Sequence, residues 1–226
     1  MKISIIAAHP DDEVLGCGGT IARLAGEGHE VSVTILGEGI SSRYDQRGDA
    51  DHEEIEKLHR CSREVAKVLG VRDISIDNFP DNRFDTVPLL DIVKTIEGSL
   101  EKSKPDCVFT HHNSDLNMDH VIVHRATLIA TRPTQDTPVK TVLSYEVPSS
   151  TEWSFQKTEK TFHPSVFIDI GVTLDTKIRA MESYDGERRE FPHPRSPEAL
   201  RAIAFRWGSV AGLGAAEAFE LIRHIR

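Results

Sequence analysis

Apolar and polar positions change period at regular intervals along the first half of the chain. Residues 3–8 form a short apolar run of the kind a buried strand needs. Residues 14–27 switch to helical spacing, with Val14, Leu15, Ile21 and Leu24 on one face and Gly28 just past the end. Residues 30–36 alternate as a second strand. Over 51–69, Ile55, Leu58, Cys61, Val65, Val68 and Leu69 recur near the helical period, and Gly70 closes the run. Residues 74–76 read as a third strand. Pro88 opens a helix carrying Leu89, Leu90, Ile92, Val93, Ile96 and Leu100. Residues 107–110 are a fourth strand, and a helix follows over 119–132.

Strands alternating with helices of about 10–15 residues predict an α/β fold whose parallel sheet is covered on both faces. Beyond Thr141 the order loosens. Strands at 142–147 and 166–170 flank a loop, PSSTEWS, and helices are expected at 174–182 and 197–207 with FPHPRSP between them. No internal repeat, low-complexity tract or linker breaks the chain, so one domain over 1–226 is expected.

Composition narrows the class. A chain of 226 residues can bury a real core, and 38% hydrophobic with 28% charged residues describes a soluble globular protein. A net charge of −9 and a pI near 5.7 argue against nucleic acid or anionic membrane as a partner, while leaving room for a local basic pocket. Cys17, Cys61 and Cys107 are odd in number, widely spaced and without a CxxC pair. They are expected to be reduced thiols of a cytoplasmic protein, not a cysteine zinc site. Between Lys2 and His9 there are too few apolar residues for a signal-peptide core. No stretch approaches the ~18 apolar residues of a membrane span.

The candidate chemistry begins at AAHPDDEVLGCGG, residues 7–19. A strand, a glycine-rich turn and a helix invite a dinucleotide-binding reading, but G-x-G-x-x-G from Gly16 would need glycine or alanine where Ile21 stands. Asp11 and Asp12 would also repel a pyrophosphate. Gly16, Gly18 and Gly19 instead let a helix pack closely on the sheet. In open α/β sheets ligands bind beyond the carboxyl ends of the strands, which is where residues 9–13 fall. Helix-dipole stabilisation accounts for one acid at the cap and for Glu13. It does not account for His9. His-x-x-Asp bends around a tight turn and aims an imidazole and a carboxylate at one point, which is two thirds of a catalytic zinc site.

The third ligand should lie at another strand end. The fourth predicted strand runs into HHNSDLNMDHVIVHR, residues 111–125, with four histidines, two aspartates and two asparagines. His120 and His124 are one helical turn apart, and residue chemistry leaves both open as the third ligand.

With His9-Pro-Asp-Asp-Glu13 and Asp115-Leu-Asn-Met-Asp-His120, the chain resembles the PIG-L or LmbE-like zinc-dependent N-deacetylases. Weaker similarity runs through PDNRFD at 80–85, SSTEW at 149–153 and FPHPRS at 191–196. The resemblance implies a Rossmann-like three-layer α/β/α sandwich with a mostly parallel sheet. It implies Zn2+ as cofactor, held by His9, Asp12 and His120, with Asp11 as the general base. Asn117 stands where many relatives have histidine. Its amide can donate to an oxyanion but cannot deliver a proton, so the general acid stays open among Asp11, His124 and His193. The implied reaction removes the N-acetyl group from an acetamido sugar, nucleotide-linked, lipid-linked or free, and releases acetate and an amino sugar. Arg60, Arg83 and Arg195, with His124 and His193, are candidates for gripping a phosphate or sugar hydroxyls. Relatives often assemble, so a homo-oligomer stays open, and FPHPRSP is a candidate interface or lid.

Two rival classes share the same residues. Two histidines and a carboxylate also form the facial triad of non-haem Fe(II) enzymes. A catalytically silent sugar- or nucleotide-binding domain is the other, against which Asp11 speaks, because binding alone needs no carboxylate beside a metal site.

Overall fold

The computed structural model describes residues 1–135, 137–155 and 161–226. Its centre is a seven-stranded sheet of order β3-β2-β1-β4-β5-β7-β6. The strands are β1 (Lys2–Ala7), β2 (Glu30–Gly37), β3 (Asp73–Phe79), β4 (Cys107–His111), β5 (Thr141–Tyr145), β6 (Val166–Asp169) and β7 (Ala216–His224). β1 pairs in parallel with β2 on one side and β4 on the other. It lies covered on both faces, so residues 3–7 are all buried, as the continuous apolar run KISIIA requires.

Alternate strand residues feed two cores. Ile3, Ile5, Ala7, Val33, Ile35, Phe109 and Tyr145 pack against α1 (Asp12–Gly26), α2 (His52–Leu69) and α5 (Leu174–Ser183). Ile6, Ala8, Leu36, Val108 and Val142 pack on the other face against α3 (Leu89–Ser103) and α4 (Met118–Ala130). α6 (Pro197–Ala211) covers the β6–β7 end through Trp207, Ala216 and Ala218. The result is the expected three-layer α/β/α sandwich.

The helix ends follow local chemistry. Asp51 caps α2 by accepting the Glu53 N–H, and Gly70 ends it with φ 75°, a left-handed conformation that suits glycine. Ser196 caps α6 from the Ala199 N–H, and Pro197 follows at the first helical position.

The periodicity misses one strand. β7 runs antiparallel between β5 and β6. Its sequence, AEAFELIRH, hides it: two buried positions are alanine, and Glu217 is buried too. Glu217 can be buried because it accepts the Gly19 and Thr20 N–H groups, at 3.0 and 2.7 Å, and pairs with Lys177 at 2.5 Å.

After β1 the chain moves outward through β2 and β3, then returns to place β4 on the opposite flank of β1. The reversal opens a crevice beyond the carboxyl ends of β1 and β4. Among the described residues no helix is long and apolar enough to cross a membrane.

Candidate active site

Several segments of the chain line the crevice, among them the segment 39–43 after β2. His9, Pro10, Asp11 and Asp12 come from the β1–α1 turn, and Asn117 and His120 from the start of α4. Asp81 and Asn82 follow β3, while Ser149, Ser150, Glu187 and Arg195 come from the carboxyl-terminal half. The cavity holds about 180 Å³ and its walls are predominantly polar.

The β1–α1 turn divides two neighbouring carboxylates. The His9 N–H donates to Asp12 Oδ2 at 2.7 Å, which turns Asp12 back over the strand end. Asp12 Oδ1 then stands 3.4 Å from His120 Nε2, and Asp12 Oδ2 stands 3.5 Å from His9 Nδ1. One ligand atom from each of His9, Asp12 and His120 lies within 4.8 Å of the others, and the three form a candidate metal site. Burial alone would raise the Asp12 carboxyl, but the facing His120 and His111 rings hold it well below the usual carboxylate range.

Each imidazole is backed by a carboxylate. His9 Nε2 lies 2.9 Å from Asp119 Oδ2, and Asp119 is itself fixed by the Phe84 N–H at 2.9 Å. Burial disfavours a charged His9, but Asp119 and Asp12 raise it well above the ordinary histidine value. His120 Nδ1 lies 3.2 Å from Asp115 Oδ1. Burial opposes protonation of His120 as well, yet Asp12 and Asp115 raise it to about 9. Asp115 accepts from Ser150 Oγ, from Thr151 Oγ1 at 2.6 Å and from the Asn117 N–H at 2.8 Å. Against the effect of burial, His120 and these hydroxyls bring it down to about 2. A carboxylate behind each ring orients it and raises its basicity, so the donor set fits a divalent metal with nitrogen and oxygen ligands. His111 comes within 3.5 Å of Asp12 Oδ2, but its Nε2 already accepts the Ala8 N–H at 2.8 Å. Burial and His120 lower the pKa of His111 well below the ordinary value.

Asp11 turns the other way. Its φ is 106°, and its Oδ2 accepts from Arg195 Nη1 at 2.7 Å. Burial raises the carboxyl well above the usual range, Arg195 pulls it down, and Asp12, Glu187 and Glu13 push it up again. A second carboxylate, Glu187, accepts from Arg195 Nη1 at 3.1 Å and from Arg43. Ser149 Oγ accepts from Arg195 Nε at 2.8 Å.

The structure disperses the other sequence candidates. Arg195 enters the crevice, but its guanidinium faces Asp11 and Glu187. Asn117 lines the crevice too. Its Oδ1 caps α4 through the Asp119 N–H, and its Nδ2 donates to Asn82 Oδ1 at 2.8 Å. His124 is buried one turn below His120, with its Nδ1 2.8 Å from the His111 carbonyl oxygen. His193 accepts the Arg195 N–H at 3.2 Å and meets the Trp153 ring edge-on. Arg83 reaches the Asp45 carbonyl at 3.5 Å, and Arg60 is exposed on α2. Those last four do not line the crevice.

Sequence reasoning does not single out Asp81, Asp115, Asp119, His111 or Glu187. Asp115, Asn117 and Asp119 alternate ahead of His120, a spacing that could have marked the first and last as supports for the rings. Glu187 carries no local signal.

A mostly parallel α/β sheet with a two-histidine, one-aspartate cluster and a separate buried carboxylate at its switch point has the layout of an enzyme with a candidate metal centre. The chain belongs to the PIG-L family: residues 4–131 match the family model described as GlcNAc-PI de-N-acetylase. It is 31% identical over 188 residues to the uncharacterized deacetylase YaiS of Escherichia coli K12, covering 80% of this chain and 89% of that protein. It is 24% identical over 240 residues to the diacetylchitobiose deacetylase of Thermococcus kodakarensis, covering 98% and 83%. The N,N'-diacetylchitobiose deacetylase structure from Pyrococcus horikoshii superposes with a TM-score of 0.77 at 22% identity, over 98% of this chain and 84% of that one. GalB, the 4-carboxy-2-hydroxymuconate hydratase of Pseudomonas putida KT2440, superposes with a TM-score of 0.79 at 20% identity, covering 100% and 98%. The fold therefore serves more than one chemistry, and the reaction must be argued from the site.

Proposed function

We propose that the protein is a zinc-dependent N-deacetylase acting on an acetamido sugar. The observation that carries this reading is the convergence of His9, Asp12 and His120 within 4.8 Å beside the separate, buried Asp11, in a chain of a de-N-acetylase family. The name of the diacetylchitobiose deacetylase, matched over 98% of the chain, supports the substrate class.

His9, Asp12 and His120 would hold the cation, with Asp119 and Asp115 steadying the two rings. A divalent cation there supplies Lewis acidity to the acetyl carbonyl and acidifies water. Asp11 accepts the proton of the attacking water, and burial, which raises its carboxyl above the usual range, makes it a stronger base than an exposed aspartate. The same carboxyl, once protonated, returns the proton to the departing nitrogen. Arg195 holds Asp11 in place through its Nη1, 2.7 Å from Asp11 Oδ2. The Asn117 amide has two N–H donors; one serves Asn82, and in this reading the other meets the oxyanion.

The test is acetate release from N-acetylglucosamine, diacetylchitobiose and a nucleotide-linked N-acetylglucosamine. It is run with metal analysis, a chelator arm and zinc add-back. About one zinc per chain and chelator-sensitive, zinc-restored release are expected. No release from any of the three by metal-replete protein overturns the reading. Oxygen uptake with Fe(II) instead of zinc-dependent release would favour the iron class.

A further inference from the structure

A helix N-cap acid ordinarily turns its own carboxylate back onto the backbone N–H groups of the first turn. Asp11 occupies that position at the start of α1 and makes no such bond. Its backbone also sits at φ 106°, ψ −25°, in a region that non-glycine residues seldom adopt. Such a conformation persists only where surrounding groups hold it.

Neighbouring buried groups provide that hold. The Asp11 N–H donates to Glu13 Oε2 at 3.1 Å, and Glu13 Oε1 accepts from the Tyr184 hydroxyl at 2.6 Å. Glu13 is 2% exposed, Tyr184 is 0% exposed, and neither lines the crevice. Glu13 thus reaches back to the cap N–H, as the glutamate of a capping box does from one position further along. The Asp11 carboxylate is released from cap duty and can face the crevice. The backbone carbonyl of Tyr184 accepts the Glu187 N–H at 2.8 Å. One turn therefore carries both Tyr184, which braces Glu13, and Glu187, which braces Arg195 against the Asp11 side chain.

We infer that Glu13 and Tyr184 are positioning residues, which hold the Asp11 backbone in its left-handed conformation so that its carboxylate and that of Asp12 serve different tasks. The activity arm of the test rests on the deacetylase reading; the structural arm does not. Glu13→Ala, Glu13→Gln and Tyr184→Phe are compared with the parent protein in kcat, KM, metal content and crystal structure. Glu13→Ala is expected to lower kcat by roughly 10²-fold, the cost of misplacing a catalytic group by about 1 Å, with KM and metal content unchanged. Its Asp11 should leave the left-handed region and lose Arg195. Glu13→Gln keeps an oxygen for the Asp11 N–H and should recover most of the lost rate, a rescue that a purely structural contribution of buried charge would not give. Tyr184→Phe leaves Glu13 in place but unbraced and should lower kcat by a smaller factor at constant KM. It carries the test if Glu13→Ala does not fold. Unchanged kcat in both Glu13→Ala and Tyr184→Phe, a loss that tracks metal content, or a glutamine variant no better than alanine overturns the inference. If the parent protein releases no acetate, the deacetylase reading fails. The inference is then decided by structure alone, and an Asp11 that keeps its conformation and its Arg195 contact in Glu13→Ala overturns it.

Discussion

Asp11 and Asp12 are adjacent in the chain and opposite in electrostatics, because they face different neighbours. Asp12 looks at His9 and His120, whereas Asp11 looks at Arg195 and is flanked by further acids. Asp11→Asn is nearly isosteric but cannot take a proton. On the proposed deacetylase reading, this variant should still bind metal and lose about 10²–10⁴ in kcat, as expected for a missing general base. Arg195→Met removes the charge that lowers the Asp11 pKa, so that pKa should rise and the acid limb of the kcat–pH profile should move to higher pH. A profile that stays in place would separate Arg195 from the base. Asp115 offers a stability test at the same scale. Its folded pKa of about 2 lies below the ordinary 3.8, so its contribution is present above pH 4 and is lost as pH falls through 2. A shift of that size corresponds to about 2 kcal/mol. In chelator-treated protein, the stability gap between Asp115→Asn and the parent should shrink across that acidic window in denaturant titrations.

Where α1 leaves β1, the helix is pressed onto the sheet. A Cβ on Gly16 would lie 2.3 Å from Tyr145 Cδ2, and one on Gly19 would lie 2.8 Å from Ile170 Cβ. The glycines are there for close approach, since the left-handed backbone in this segment belongs to Asp11. Tyr145 cannot swing away freely: its hydroxyl donates to the Ile6 carbonyl at 2.8 Å within the buried core. Gly16→Ala should therefore cost about 1–3 kcal/mol or more, the range for overpacking a core, read as a lower denaturant midpoint at unchanged slope. On the proposed metal-site reading it should also weaken metal binding, because α1 begins with Asp12.

Across the whole molecule, the late segments close what the early ones open. α5 and β7 meet α1 through the buried Lys177, whose Nζ donates to the Leu15 carbonyl at 2.8 Å and to the buried Glu217 at 2.5 Å. Lys177→Met leaves Glu217 buried and unpaired and should cost about 3–5 kcal/mol. Replacing both partners with apolar residues should cost less than removing Lys177 alone, because no lone buried charge remains. Equal losses in the single and double variants would show that packing, not the pair, holds β7.

The alternation of strands and helices was legible in the chain because each central strand is covered on both faces and each helix on one, so burial imprints a period on the sequence. β7 was not, because three of its four buried positions are alanine or glutamate and only Phe219 is large and apolar, and a buried glutamate makes sense only once Lys177 arrives from α5. His9, Asp11 and Asp12 could be read as a cluster because a tight turn makes them neighbours whatever the rest of the chain does. Whether His120 or His124 shares a point with Asp12 depended on the rotation of α4 about its axis. That is set by packing of Val123 and Ala126 into the core, and it turns His120 toward the crevice and His124 toward the His111 carbonyl. Arg195 and Glu187 lie more than 170 residues from Asp11 in the chain. Only the closed sheet brings them beside it, and no local pattern records an interaction between residues that meet through tertiary structure alone.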